Sequence, residues 1–227
     1  MEPSWLIYGD SHAEALAGAF DRVLLKRGQS AEFAFLSGCL PVLYSGDIEC
    51  REFNRRMATF LASNPAIRHV VLVSTWRQPL ERGYTDAGGV AVSGQKALVA
   101  FQQNLGRTLV ADGYATREIV VWLPVPGAKH SVPTTSARNL MLNRNWDLRF
   151  TRKEYDDRFT FLVEILKRYP RVHLINPAAH ICDLGSCRVF WDGHALYHDD
   201  AHPAQSQARY FADIIERDLG AAAATTE

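Results

Sequence analysis

Two short stretches at opposite ends of the chain carry the residue types of acyl transfer. Near the start, Gly9-Asp10-Ser11-His12 follows an apolar run; near the end, Asp199-Asp200-Ala201-His202-Pro203 precedes a helical pattern. Gly9 permits a tight turn off a strand, which would set Ser11 at the mouth of a sheet and at the start of a helix, beside free N–H groups and the positive end of the dipole. A serine nucleophile needs that position for attack, and its own N–H can then stabilise the oxyanion that forms. An Asp three residues before a His can hold the imidazole Nδ1–H and leave the other nitrogen free to take the serine proton. Each motif alone has an ordinary explanation: Asp10 or Ser11 caps a helix, and a solvated acidic turn meets one of eight histidines by chance. Their combination favours chemistry, because both fall at one edge of a parallel sheet, where such folds put their ligands.

The elements that must position them are legible. Short apolar runs rich in β-branched residues predict strands over 5–8, 32–36, 70–74, 118–123 and 172–175, apolar on both faces as in a covered parallel sheet. Helical patterns run over 13–26, 50–63, 93–112, 153–169 and 204–219, with stops at Gly28, Gly113 and Pro170. Pro203 suits the first turn of the last helix. Alternating βα units predict a three-layer α/β/α sandwich, flavodoxin-like, around a parallel sheet of about five strands. One catalytic domain is expected over 1–219, with a frayed small-residue tail over 220–227. The long loops 77–92 and 125–151 are of a length usually reserved for function.

Composition narrows the class. In 227 residues, 47% are hydrophobic and 22% charged, which argues against disorder. Lys plus Arg (25) balances Asp plus Glu (25), so no global field attracts nucleic acid. No apolar run reaches the roughly 18–20 residues of a membrane span, and no secretory leader is visible ahead of Trp5. The abrupt start suits a cytoplasmic protein or a domain cut from a larger parent. Cys39 with Cys50, and Cys182 with Cys187, form two local pairs; two disulfides and four free thiols fit this pairing equally well.

The chain resembles the SGNH (GDSL-like) hydrolases through the GDS near its start and the DxxHP near its end. It is closer still to the SGNH domains fused to membrane-bound acyltransferase-3 proteins that O-acetylate surface polysaccharides. The matching stretches are IYGDSHA, LSGCLPV, VVLVSTW, WLPVPG and HICDLGSCRVFWDGHALYHDDAHP, spread from Ile7 to Pro203. The resemblance implies Ser11 as nucleophile, His202 as general base and Asp199 as its orienting carboxylate. It implies that Gly38, in LSGC, gives an oxyanion-hole N–H beside that of Ser11. Two departures matter. Where the hydrolases bring an Asn after strand three, this chain has Ser74-Thr75-Trp76; the subgroup tends to have Trp there, so the resemblance implies either the Trp76 indole N–H as third donor or no third donor. The subgroup often has Leu after the histidine, whereas Pro203 matches the hydrolases. The resemblance also favours disulfides and a periplasmic setting over a cytoplasmic one, with a membrane-embedded acyltransferase domain in the parent.

Other residues weigh less. Trp76, Trp122, Trp146 and Trp191 offer faces for sugar rings, although burial is the commoner use of an aromatic. Arg77 and Arg149 suit an acidic sugar or plain solvent. His12 is expected to point into the first helix, away from the role of base, and Asp200 is the second choice for the triad acid. Gly88-Gly89 marks a turn and no phosphate cradle. The activity the resemblance implies is transfer of an acyl group, acetyl by preference, from a donor to a hydroxyl of a surface polysaccharide through acyl-Ser11, with no metal or cofactor needed for this chemistry. Its rivals are an esterase using the same site, and a glycan-binding module that has lost catalysis.

Overall fold

The structure, a computed structural model, describes residues 2–81 and 83–224. Five strands form one parallel sheet: β1 (Trp5–Gly9), β2 (Ala31–Phe35), β3 (His69–Val73), β4 (Glu118–Trp122) and β5 (Val172–Ile175), in the order β2-β1-β3-β4-β5. Alternation along each strand serves two cores. Trp5 and Ile7, Val71 and Val73, and Val120 and Trp122 face one side, whereas Leu6 and Tyr8, Val70 and Leu72, and Ile119 and Val121 face the other. That is why the strands lack a polar face: both sides are covered.

Helix α1 (Ser11–Lys26) and the last long helix, α7 (Ala208–Ala224), cover the first side through Leu16, Phe20, Phe211 and Ile215. Helices α2 (Ile48–Ser63), α3 (Gly94–Val110) and α5 (Arg152–Leu166) cover the second, through Leu61, Phe101, Leu105 and Leu162. The expected flavodoxin-like sandwich is therefore what the chain forms. The strand order reverses between β1 and β3, so a crevice opens beyond their carboxyl ends.

The two long loops contain structure that hydrophobic periodicity did not predict. A short hairpin pairs Tyr84–Thr85 with Ala91–Val92. The other loop carries α4 (Val132–Met141), in which only Val132 and Thr135 are buried, so no apolar stripe announced it. The short α6 (Pro177–Ile181) was likewise missed. Two expectations at the C-terminal end need correction. Pro203 does not open the last helix: it pairs in an isolated bridge with Tyr197, and α7 begins only after a 3-10 turn over Gln205–Gln207. That helix also continues to Ala224, past the expected start of a frayed tail at 220, while 225–227 lie outside the described residues. The alanines that looked like a small-residue tail are good helix formers.

Candidate active site

The geometry starts at Gly9. A Cβ there would lie 1.7 Å from the Val73 carbonyl oxygen, so only glycine lets β1 run this close to β3 at their shared end. Asp10 follows as the N-cap of α1, accepting the His12 N–H at 2.8 Å. Its other carboxylate oxygen accepts the Ser74 hydroxyl at 2.6 Å and the Thr75 N–H at 3.0 Å. Asp10 is thus a buried clamp between the loops after β1 and β3. Burial raises its pKa, against the lowering by those hydrogen bonds.

The clamp fixes Ser11 on the first turn of α1. Its Oγ lies 2.7 Å from His202 Nε2, and His202 Nδ1 lies 2.7 Å from Asp199 Oδ2. Residues 191 positions apart in sequence therefore form one hydrogen-bonded chain. The loop bearing Asp199 and His202 is closed at its base, where Ala204 N–H donates to Leu196 O at 2.8 Å and His198 N–H to His202 O at 3.1 Å. Within it, Asp199 Oδ1 accepts the N–H groups of Ala201 (2.8 Å) and His202 (2.7 Å). Partial burial by itself would raise the Asp199 pKa. The two backbone donors and the imidazole outweigh it and bring the value down to about 2.

Asp200, by contrast, is exposed, and its carboxylate makes no hydrogen bond among the described residues; only its backbone carbonyl is engaged, by Ala128 N–H at 2.7 Å. The spacing of three selects Asp199 because one turn brings its carboxylate back to both the ring and the backbone of His202.

Two backbone N–H groups are expected from the sequence at the oxyanion. That of Ser11, at the amino end of α1, makes no hydrogen bond among the described residues, and neither does that of Gly38. Leu36 N–H bonds Gly9 O at 3.0 Å, so the turn carrying Gly38 leaves β2 at the level where the Ser11 loop leaves β1. Gly38 has φ +72° in this turn, a conformation that favours glycine. A disulfide between Cys39 and Cys50 ties the turn to α2, and a second joins Cys182 to Cys187.

Trp76 is not brought into the site. Its ring is fully buried against Phe101, and its indole N–H donates to Trp122 O at 2.9 Å. A donor already spent in the core cannot serve an oxyanion in the crevice, so the expectation of a third donor from Trp76 is corrected. The Ser74 hydroxyl and the Thr75 N–H are no substitute, since both donate to Asp10.

His12 lies in α1 as expected and is no base on Ser11, but it sits close to the site. It is buried with its ring centroid 4.6 Å from that of His202, and neither ring nitrogen has a partner among the described residues. Burial, helped by the charge of His202, lowers its pKa to about 3, so it stays neutral at physiological pH. The sequence signal was available: a polar ring at a helix position otherwise shared with Ala13, Leu16 and Phe20. On the open side His198 stacks on His202 with centroids 5.1 Å apart. A cleft of about 560 Å³ lies in front of Ser11 and His202, bordered by Glu14, His198, Gln205 and Ser206.

The remaining expected candidates lie elsewhere. Trp122 is core, Trp191 packs on Tyr210, and Arg149 pairs with Asp147 at 2.9 Å. Arg77 is half-buried, and Gly88-Gly89 form the hairpin turn. Trp146 is exposed in the 125–151 segment. The ligating atoms of His198, Asp199 and His202 lie within 4.8 Å of one another, a donor set a metal can use. Binding one there would break the 2.7 Å contacts that link Asp199, His202 and Ser11.

Chemically, the arrangement offers an alcohol, an imidazole hydrogen-bonded to it and a carboxylate that orients the imidazole, with the Ser11 N–H unengaged at the amino end of α1.

Comparison with known proteins bears on the fold and the family. Among solved structures, the periplasmic domain of a lipopolysaccharide acetyltransferase from Salmonella ser. Paratyphi A superposes with a TM-score of 0.65 at 16% identity, covering 96% of this chain and 84% of that one. A carbohydrate acetylesterase from Sinorhizobium meliloti gives 0.55 at 13% identity, covering 96% and 99%. An aryl esterase from M. smegmatis gives 0.53 at 12% identity, with the same coverages. At these identities the likeness is one of fold. A search of curated proteins finds no significant match. A family model, the SGNH domain fused to AT3 domains, matches residues 1–217, and the chain therefore belongs to that family of SGNH domains.

Proposed function

We propose that the chain is one catalytic domain that transfers an acyl group, acetyl by preference, to a hydroxyl of a cell-surface polysaccharide through an acyl-Ser11 intermediate. The observation that carries this reading is the unbroken chain Ser11 Oγ–His202–Asp199, with both links at 2.7 Å. Ser11 Oγ attacks the acyl carbonyl while His202 Nε2 takes its proton. Asp199 keeps the other ring proton on Nδ1 and faces the imidazolium as it forms. The N–H groups of Ser11 and Gly38 hold the oxyanion of the tetrahedral intermediate. His202 returns its proton to the leaving group, leaving the acyl ester on Ser11. The acceptor hydroxyl then gives its proton to His202 and attacks the ester, and the intermediate collapses as His202 returns that proton to the departing Ser11 Oγ.

Family membership and the fold shared with a lipopolysaccharide acetyltransferase domain support an O-acyl acceptor on a glycan. The two disulfides support an extracytoplasmic site of action. The acyl donor would reach the site from the AT3 membrane domain of a parent protein. A second reading, hydrolysis with water as acceptor, is favoured by Pro203, which matches the hydrolases, and by the open cleft before Ser11. The test supplies p-nitrophenyl acetate with and without purified surface polysaccharide. Acetyl appearing on the glycan faster than acetate is released supports transfer; acetate release unaffected by glycan supports the esterase.

A further inference from the structure

The end of α4 carries three consecutive apolar side chains in water: Leu140, Met141 and Leu142 are 86%, 82% and 59% exposed. Trp146, four residues on, is 48% exposed. Surface runs of this kind need a reason, since scattered single apolar residues are the norm. The backbone here is well defined. Leu142 N–H and Arg144 N–H close onto Arg138 O and Asn139 O, both at 2.9 Å, around Asn143 in a left-handed conformation (φ +46°). This is the hydrogen-bonding of a helix C-cap with Asn at the left-handed position. The Asn139 side chain then clamps the backbone of Trp146 with two hydrogen bonds, at 3.1 and 3.2 Å. The first turn of α4 is anchored by buried Val132 and Thr135, so the second projects as an ordered knuckle.

Charge indicates what covers it. The stretch 129–146 contains Lys129, Arg138 and Arg144 and no Asp or Glu, in a chain whose formal charge is zero. Both arginines and Lys129 are exposed. Of the acids on the groove beside the knuckle, Asp147 is held by Arg149 at 2.9 Å and Asp200 belongs to the active-site loop. Aliphatic residues with an indole, flanked by basic groups, have the chemistry of a bilayer interface. A second copy of the chain fits poorly. A two-fold contact would bring these cations toward one another, and four side chains fall far short of the roughly 800 Å² per partner of a stable dimer.

We propose that this knuckle docks on a membrane surface, with Leu140, Met141 and Leu142 entering the headgroup region and Arg138 and Arg144 meeting anionic lipid phosphates. The family's fusion to AT3 membrane domains brings such a surface within reach. The knuckle's stem is hydrogen-bonded to the active-site loop, Ala128 N–H to Asp200 O (2.7 Å) and Val132 N–H to Asp199 O (3.0 Å). Docking therefore sets the orientation of the cleft relative to the bilayer.

The experiment is vesicle flotation with phosphatidylcholine alone and with phosphatidylglycerol added. It compares the unaltered chain with L140E/M141E and R138Q/R144Q, and follows hydrolysis of a soluble acetyl ester in parallel. The unaltered chain should float with the anionic vesicles. L140E/M141E should partition at least about tenfold less, and R138Q/R144Q should lose the preference for anionic lipid. Both variants should hydrolyse the soluble ester like the unaltered chain, which separates this result from any failure of the catalytic assignment. Absence of flotation, or flotation undiminished in L140E/M141E, overturns the proposal. A dimer seen by sedimentation and abolished by L140E/M141E, without vesicle binding, would assign the knuckle to a second copy instead.

Discussion

Replacing Asp199 by Asn disturbs two sets of hydrogen bonds that compete for the same side chain. Its Oδ1 accepts two backbone N–H groups at 2.7 and 2.8 Å, and its Oδ2 accepts His202 Nδ1 at 2.7 Å. An amide has only one acceptor oxygen. If that oxygen stays on the backbone, the amide NH₂ faces Nδ1, which must then be unprotonated; the ring proton moves to Nε2 and points at Ser11 Oγ. The base is then in the wrong tautomer, with an expected rate loss on the order of 10³–10⁴, or about 4–5.5 kcal/mol of barrier. If the amide turns over, the ring is spared but two N–H groups of the loop lose their acceptor. That costs about 1–2 kcal/mol of stability once solvent access to Asp199 is allowed for. The first outcome is expected, because keeping one acceptor for two donors loses fewer bonds. Asp200→Asn is the control: its carboxylate makes no hydrogen bond among the described residues, and its backbone bond to Ala128 survives, so kcat/KM should fall less than about tenfold. Both variants are assayed on p-nitrophenyl acetate, with circular dichroism to confirm folding. A folded Asp199→Asn enzyme within tenfold of the unaltered one, or a crippled Asp200→Asn, refutes the assignment of the acid.

Further outcomes follow from the same geometry. Trp76→Phe should cost about 1 kcal/mol by unpairing Trp122 O, yet leave kcat/KM within about threefold; a loss on the order of 10²–10³ would make Trp76 an oxyanion donor after all. Thiol counting on denatured, unreduced protein should find none, and reduction should lower stability by roughly 2–4 kcal/mol per bridge in denaturant titrations. The Asp199 pKa is depressed in the folded state, from 3.8 to about 2, so its stabilising contribution is complete above about pH 5 and is lost as pH falls through 3.8 toward 2. Acid unfolding of Asp199→Asn should accordingly show a shallower loss of stability in that window.

The sheet was legible because each strand is a short apolar run bounded by turn residues, and five such runs alternating with helical patterns leave few topologies. The hydrogen-bonded set of Ser11, His202 and Asp199 was legible because it grows from local spacing: a serine just after a strand, and an acid one turn before a histidine. The direction of the Trp76 side chain was not legible in the sequence. Which way it turns is decided by the carbonyl of Trp122 and the face of Phe101, both remote in sequence. The neighbours of His12 were not legible for a similar reason. Its place beside His202 arises only when the C-terminal loop folds back over α1. Helix α4 escaped detection because it buries two residues, so its sequence lacks the stripe that periodicity detects.

The central claim is that Ser11, activated by His202, carries the acyl group. The most direct test is peptide mass spectrometry after rapid acid quench of the enzyme with p-nitrophenyl acetate, run beside His202→Ala and Ser11→Ala. One acetyl on Ser11, strongly reduced in His202→Ala and absent from Ser11→Ala, is the predicted result. Acetyl on a different residue of the unaltered enzyme, or undiminished turnover by Ser11→Ala, would contradict it.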